Sequence, residues 1–271
     1  MPASPSLKSG FGSAGLRRTG LIAAQLGIVA ALLVLWQFGV SDKNVPFFSR
    51  PLIVWDKIVE LAADPSFHRD IIVTLTEIVI GYGIGAGVGL ALGFILGRSK
   101  LLSDLLEPFI IGLYSIPKIA LAPLFIIWLG LGMPSKVAVV VLASFFLVFF
   151  NTYSGLLNVN EELVRLARLM GASWRQCATR VILPSAAHQI FIGLKTAVPY
   201  AVIGAVIGEY IGSNEGLGHF ILYASQTYDA PALFAGILAL IVIVFLSNYL
   251  LTRLERMAIR WRHVEGAAVQ L

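Results

Sequence analysis

Six apolar segments, each long enough to cross a lipid bilayer, constrain the fold of this chain more than any other feature. They cover Gly20–Gly39 and residues 71–97, 106–131, 137–157, 190–211 and 233–252. A transmembrane helix needs about 20 predominantly apolar residues, and backbone groups in lipid must be hydrogen-bonded within the protein. The sequence lacks the alternating pattern of membrane β-barrels. It therefore predicts an all-α, polytopic membrane protein with about six transmembrane helices.

The composition excludes several classes of function. The single cysteine, Cys177, excludes an internal disulfide and a multi-cysteine metal site. The four histidines are scattered, and the sequence contains neither a G-x-x-x-x-G-K-[ST] phosphate loop nor an H-E-x-x-H pattern. We therefore expect no enzymatic activity, no metal site and no cofactor bound by this chain.

The distribution of basic residues predicts the orientation. With the N-terminus in the cytoplasm, thirteen Lys and Arg residues lie on inner segments and five on outer segments. The positive-inside rule therefore predicts cytoplasmic termini, and the net charge of +5 indicates membrane orientation rather than nucleic-acid binding. We expect a disordered cytoplasmic tail over residues 1–19, a transmembrane domain over 20–252 and a basic cytoplasmic tail over 253–271. The basic tail is expected to anchor at inner-leaflet lipid, with a contact to a partner subunit as the alternative.

Two of the predicted spans are unusual. The second carries glycine at every fourth position from Gly81 to Gly97, which places a flat stripe on one helix face. We interpret this stripe as a helix-packing surface, with a sliding surface as the alternative. The third span contains three prolines, and Pro117 lies near its middle, so we expect a bend or break at residues 115–118.

A polar segment separates the fourth and fifth spans, and we call residues 161–184 the elbow. Its apolar residues recur every three or four positions, which predicts an amphipathic helix. Gly171 is expected to end that helix, Ser173 to cap a second short helix, and Pro184 to separate the second helix from the fifth span. Physical chemistry alone leaves two alternatives, a helix lying on anionic lipid or a surface that contacts another protein.

Polar side chains within the spans are candidates for a translocation pathway, because a charge in lipid is costly. The candidates are Lys118, Glu209, Asn151, Thr196 and Tyr200. Lys118 either faces a cavity and contacts an anionic solute, or it snorkels or pairs with a carboxylate such as Glu209. For Glu209 a structural role is favoured, and Glu77 is expected at the membrane interface.

The elbow resembles the "EAA" loop of ABC importer permeases. Ala167 and Gly171 match its pattern, and after the same nine-residue gap residues 181–184 (Val-Ile-Leu-Pro) match its ending. Arg165 departs from the pattern, because it occupies the position of the family's glutamate, and Leu166 replaces the first alanine. Residues 116–132 and Glu209 with the Gly-Leu-Gly run at 216–218 are also similar to permeases for nitrate, sulfonate and taurine. The resemblance covers roughly residues 66–262.

The resemblance implies a type I ABC importer permease fold in a bacterial inner membrane. It implies a second permease copy, a homodimer, and a cytoplasmic ABC ATPase dimer that binds ATP and Mg²⁺, together with an extracytoplasmic solute-binding protein. The elbow would then be the coupling helix that contacts the ATPase. Its expected contact residues are Glu161, Glu162, Arg165, Leu166, Ala167, Met170, Gly171, Ala172, Trp174, Leu183 and Pro184.

The expected cargo is a small, anionic organic or inorganic solute of the sulfonate, nitrate, taurine or aromatic-acid type. One alternative is a thiamine-precursor pyrimidine as the solute. Another is an ion-gradient-driven secondary transporter, although such proteins usually show paired broken helices, and this sequence shows one broken span.

Overall fold

The computed structural model describes residues 11–41 and 44–259. Within these ranges the regular structure is helical, and we number the α-helices in chain order. They are α1 Phe11–Gly39, α2 Val45–Phe48, α3 Pro51–Ala62, α4 Pro65–Arg98, α5 Lys100–Ser115, α6 Ala122–Leu129, α7 Met133–Leu157, α8 Glu161–Leu169, α9 Trp174–Cys177, α10 Leu183–Gly212, α11 Leu217–Gln226 and α12 Ala230–Ala258. A 3₁₀ turn, Lys118–Leu121, precedes α6, and a π-helical turn, Ala178–Ile182, joins α9 to α10.

The prediction of about six transmembrane helices is confirmed. Five stretches are long and apolar enough to cross a membrane: α1, α4, α7, α12 and the run Trp174–Gly212 that contains α10. The pair α5 and α6 forms the sixth span, bent by 82° at the expected break. Pro117 lies in this break, where its ring and missing N–H prevent a straight helix from continuing.

The core of the bundle is a layer of three helices, with α7 between α4 and α10. The glycine stripe of α4 lies directly against α7. A Cβ atom added at Gly89 would lie 2.8 Å from the carbonyl oxygen of Phe145, and one added at Gly93 would lie 2.8 Å from Cβ of Thr152. Gly83 and Gly87, which lie off the stripe, have open space around them. The stripe is therefore a packing surface, as interpreted from the sequence, and the two backbones approach closely along it.

Two parts of the bundle pack little against the rest of the chain. The apolar stretch Gly20–Gly39 of α1 has none of its residues buried, and most side chains of α5 and α6 are exposed. Both parts are apolar, so in a membrane they face lipid or other subunits.

Two helices extend beyond the ends of the predicted transmembrane domain. Helix α1 begins at Phe11, so residues 11–19 are helical rather than part of a disordered tail. Helix α12 runs to Ala258, six residues beyond the predicted end of the last span. The remaining parts of both predicted tails, residues 1–10 and 260–271, lie outside the described residues.

The expectation that Pro184 separates the elbow from the fifth span is wrong. Helix α9 continues through the π-helical turn into α10, so one helical run extends over Trp174–Gly212. The wider π turn relieves the clash between the proline ring and the carbonyl four residues earlier. The hydroxyl of Ser185 also donates to the carbonyl oxygen of Val181 at 2.6 Å. The second half of the elbow, from Trp174 onward, is therefore a direct extension of the fifth span, whereas α8 is a separate helix.

We predict that Gly89→Ala destabilises the bundle, because the new methyl group would overlap the α7 backbone. Overpacking of this kind costs about 1–3 kcal/mol. Gly87→Ala is the matched control, and it should leave stability unchanged or raise it, because alanine favours the helix and the space is open. Thermal unfolding of the purified variants in detergent checks this. An equal melting temperature for the two variants would contradict close packing of α4 on α7.

Candidate functional site

Helix α8 of the elbow begins at a well-formed cap. The side chain of Asn160 accepts a hydrogen bond from the backbone N–H of Glu162 at 2.8 Å. Glu161 and Glu162 occupy the first turn, where the helix dipole favours negative charge. The start of the elbow helix is therefore fixed by its own sequence.

The same helix ends in a Schellman motif. The N–H of Gly171 donates to the carbonyl oxygen of Arg168 at 2.9 Å, and the N–H of Ala172 donates to that of Ala167 at 3.0 Å. Gly171 has φ +85°, a conformation that glycine adopts without strain. This confirms Gly171 as the terminator of the first elbow helix.

The second elbow helix, α9, begins with a capping box. Its N-cap residue, Ser173, accepts from the N–H of Gln176 at 3.3 Å, and the Gln176 side chain accepts from the N–H of Ser173 at 2.7 Å. These reciprocal bonds pair two backbone donors that a helix start leaves free. The hydrogen bonds between Ser173 and Gln176 therefore determine where the helix that leads into the fifth span begins.

The apolar face of α8 points away from the bundle. Leu166 and Trp174 are more than half exposed, and Met170 is 81% exposed. Leu169, which the sequence prediction omitted, is 85% exposed. Large apolar side chains at such exposure, on a charged helix outside the spans, mark a surface that another molecule covers. The amphipathic period could have identified Leu169, since it lies at the edge of the apolar face.

A shallow hollow of about 450 Å³ separates α8 from the start of the fifth span. Ala167 lines one side of it, and Val181 and Pro184 line the other. The elbow thus folds back on itself, so that residues 167 and 181–184, which match the two ends of the motif, lie on one surface. Leu183 lies beside this surface and is partly exposed.

Arg165, which replaces the glutamate of the EAA pattern, is held within its own helix. Its guanidinium forms a 3.1 Å ion pair with Glu161, one turn earlier, and both side chains are largely exposed. A pair of this kind stabilises a helix by only about 0.3–0.5 kcal/mol. Arg165 is thus available for contacts with another molecule at little cost.

The end of the bundle opposite the elbow contains a buried cluster of charges. Lys136 at the start of α7 forms an ion pair with Glu77 of α4, and both side chains are buried. The lysine also donates to the hydroxyl of Ser213 at 3.0 Å. The two side chains are therefore enclosed by protein, which the sequence did not predict for Glu77 or for Lys136. Burial is tolerated because the two charges are paired.

Glu209 lies in the same cluster and anchors the loop before α11. Its two carboxylate oxygens accept from the hydroxyl of Thr74 at 2.6 Å and from the N–H of Gly218 at 2.5 Å. Two further bonds hold the loop, from the N–H of Gly216 to Asp70 at 2.7 Å and from the N–H of residue 217 to the Thr74 hydroxyl at 2.8 Å. Glu209 thus has the structural role that the sequence favoured. Glycine is required at both ends of the Gly-Leu-Gly run, because a Cβ atom at either position would clash with this carboxylate.

Lys118 lies at the break of the third span and does not pair with Glu209. Its ammonium donates to the carbonyl oxygen of Tyr114 at 3.1 Å and lies 4.1 Å from the centre of the Tyr114 ring and 5.3 Å from that of Phe146. Phe146 lies halfway along α7, so Lys118 is near the middle of the membrane. Lys136 and Lys195 each pair with a glutamate, but among the described ion pairs Lys118 has none. A mid-span cation without a carboxylate indicates a polar cavity or an anionic ligand.

The other pathway candidates divide into two groups. Asn151 lies between α7 and α10, where its side-chain oxygen accepts from Gln189 at 3.1 Å, so it joins two helices. Thr196 and Tyr200 lie on the exposed face of α10, away from α7. The structure thus leaves these two free to line a pathway, whereas Asn151 is engaged in packing. The described residues contain no group of three or more metal-ligating side chains.

Comparisons with known proteins decide the family. Residues 83–260 match the family described as "Binding-protein-dependent transport system inner membrane component". This chain belongs to that family. The fold agrees, since the chain resembles the inward-facing MetNI methionine ABC transporter with a TM-score of 0.62 at 20% identity, over 70% of this chain and 94% of that one. The chain is thus a multi-pass inner-membrane permease of the ABC transporters, and family membership replaces the secondary-transporter alternative.

Individual members of the family differ in the solutes for which they are named. The chain is 34% identical to the formylaminopyrimidine transport permease protein ThiX of Halalkalibacterium halodurans, over 85% of this chain and 92% of that protein. It is 30% identical to the putative aliphatic sulfonates transport permease protein SsuC of Bacillus subtilis, over 92% and 91%. It is 28% identical to the taurine transport system permease protein TauC of Escherichia coli, over 89% and 90%. Membership therefore fixes the class of transporter but not the solute.

We predict that Gly171→Val disrupts the elbow, because a β-branched residue at φ +85° costs about 1–3 kcal/mol although the space is open. Gly171→Asn is the matched control, since asparagine tolerates this conformation. Solute uptake and membrane insertion of both variants check the prediction. The valine variant should insert normally and lose uptake, and the asparagine variant should keep most of it. Equal uptake by the two variants would show that the turn is not needed.

We also predict that Glu209→Ala loosens the loop before α11, because it leaves the Gly218 N–H and the Thr74 hydroxyl without their buried acceptor. Each loss costs about 1–3 kcal/mol. Glu215→Ala is the control, because its partner Arg69 forms a surface pair 2.5 Å away, and such pairs contribute little. Hydrogen exchange at residues 216–218 should accelerate strongly only in the Glu209 variant. Unchanged exchange in that variant would rule out the anchoring role.

Proposed function

We propose that the elbow docks in a groove of a cytoplasmic ABC ATPase and receives the movement that drives import. The main observation in support is the exposed apolar face of α8, where Leu166 and Met170 are accessible on a charged helix outside the spans. An amphipathic helix that lays such a face into a groove is a common mode of protein recognition. ATP and Mg²⁺ would bind to the ATPase, and this chain would supply no catalytic residue.

The docking requires the elbow end of the bundle to lie in the cytoplasm. The distribution of basic residues supports this, with thirteen on inner segments and five on outer segments. Both termini would then be cytoplasmic. The anchored loop at the opposite end would face the extracytoplasmic binding protein that delivers the solute.

A second copy of the chain would complete the pathway. The faces that carry Thr196 and Tyr200 on α10 and most of α5 are exposed and apolar or weakly polar. Two copies related by a two-fold axis would bring such faces together, as is usual for homo-oligomers. The pathway would then lie between copies, with Lys118 from each bundle near the middle of the membrane.

The solute is proposed to be a small anion of the sulfonate, nitrate, taurine or aromatic-acid type. Lys118 supports this class, since it is the mid-span cation without a carboxylate among the described ion pairs. A sulfonate or carboxylate passing the ring of Tyr114 would meet this ammonium. The relative named for a formylaminopyrimidine supports a second candidate, a thiamine-precursor pyrimidine, which would use the aromatic rings more than the charge.

Docking is tested by substituting the apolar face. Met170→Glu should abolish co-purification with the ABC ATPase, because a charge cannot enter an apolar groove without losing its water. Met170→Leu is the matched control, because it keeps the apolar face, and it should leave the complex intact. Both variants should insert normally. Recovery of a full ATPase complex with Met170→Glu would overturn the docking proposal.

The solute class is tested at Lys118. With an anionic solute, Lys118→Met should lower uptake at least roughly 10-fold, which corresponds to about 1.4 kcal/mol, and Lys118→Arg should keep most of it. Uptake of a sulfonate panel and a pyrimidine panel into vesicles, with the binding protein supplied, provides the measurement. Undiminished sulfonate uptake by Lys118→Met would contradict the anion proposal, and pyrimidine uptake that persists in that variant would favour the second candidate.

A further inference from the structure

A half-enclosed cavity of about 550 Å³ lies at the elbow end of the bundle, beside the turn that joins α4 to α5. Four cationic and two anionic side chains line it: Arg98, Lys100, Arg165, Arg168, Asp104 and Glu161. The excess of positive charge predicts an anionic ligand. The volume lies within the range of small-molecule sites.

The cavity lies on the opposite face of α8 from the proposed ATPase contact. Four residues of α8 line it, at the i, i+3, i+4, i+7 spacing of one helix face: Glu161, Val164, Arg165 and Arg168. Leu166 and Met170 lie on the other face, which borders the hollow beside the fifth span. One face of α8 is therefore apolar, exposed and adjacent to the hollow, and the other is basic and directed into the cavity.

The position of the cavity indicates a lipid headgroup rather than a soluble anion. Arg98 ends one transmembrane helix and Lys100 begins the next, so both lie at the level of the headgroups. The inner wall is apolar, with Leu96 and Leu156 buried, and it also carries the hydrogen-bonded hydroxyls of Ser103 and Tyr153. A ligand with a negative head and an apolar body fits this combination of walls.

We propose that this cavity binds the phosphate headgroup of an anionic phospholipid and that the lipid lies between the elbow and the membrane. Basic pockets of this kind at the cytoplasmic side of transmembrane helices suit anionic headgroups. Arg98 also lies 5.9 Å from the centre of the Trp174 ring on α9. A lipid that binds Arg98 would therefore stabilise the orientation of the elbow relative to the bundle. The assignment to the inner leaflet rests on the proposed orientation, but lipid binding is measured without the ATPase, so the two proposals fail separately.

The test uses the full chain in nanodiscs of phosphatidylcholine, alone or mixed with phosphatidylglycerol, with co-isolated lipid measured by mass spectrometry. The unaltered chain should enrich phosphatidylglycerol. Arg98→Ala with Arg168→Ala should reduce the affinity about 30-fold, from the loss of two surface charges. The control is Lys57→Ala with Arg69→Ala, which removes the same charge from α3 and α4 at the opposite end of the bundle and should keep the enrichment. Equal losses in both double variants would overturn the site.

Two further arms separate other ligands from the lipid. Inorganic phosphate in excess should displace none of the bound phosphatidylglycerol, and displacement would show that the cavity takes a free anion. If the Arg98 and Arg168 variant keeps its phosphatidylglycerol but no longer binds the ATPase, the surface belongs to the ATPase and the lipid proposal is overturned.

A measurement on the unaltered cavity guards against misfolding of the variants. In a chain whose tryptophans other than Trp174 are replaced by phenylalanine, brominated phosphatidylglycerol should quench Trp174 fluorescence more strongly than brominated phosphatidylcholine. Equal quenching by the two lipids would contradict a selective headgroup site beside the elbow.

Discussion

The close contact between α4 and α7 is the constraint on which the rest of the structure depends. Lipid offers no hydrophobic driving force for helix association, so the helices must gain stability from packing. Glycines at four-residue spacing on α4 allow its backbone to approach α7, and Gly193 and Gly204 allow α10 to approach the other side. The three helices form one rigid layer, and the paired charges Glu77 and Lys136 are buried where this layer ends.

The connection between the elbow and this layer determines how a movement of the ATPase would reach the fifth span. Because α9, the π turn and α10 form one continuous run, a displacement of α9 is expected to move the fifth span as a whole. The exposed face of α10 carries Thr196 and Tyr200, so the helix that would receive the ATPase movement would also line the pathway. The loop held by Glu209 fixes the far end of the same helix. One element would thus connect the ATPase contact, the pathway and the surface that faces the binding protein.

Much of this structure was predictable because the determining interactions are local in sequence. The spans follow from apolar length, the break at Pro117 from a missing donor, and the turn at Gly171 and the cap at Ser173 from residues within one helical turn. The buried pairs were not predictable, since Glu77 and Lys136 are far apart in the chain and meet only after α4 and α7 pack. The continuity through Pro184 was missed because a π turn leaves no clear signal in sequence.

The central claim is that α9, the second helix of the elbow, and the fifth span move as one body, and a distance within one chain tests it most directly. Spin labels at positions 175 and 192, in a Cys177→Ser chain diluted with unlabelled copies, should lie about 26 Å apart along a continuous helix. The account predicts one narrow distance that stays the same in the nucleotide-free and ATP-bound complexes. A shift or a second distance on ATP binding would show a hinge at the π turn and contradict rigid transmission.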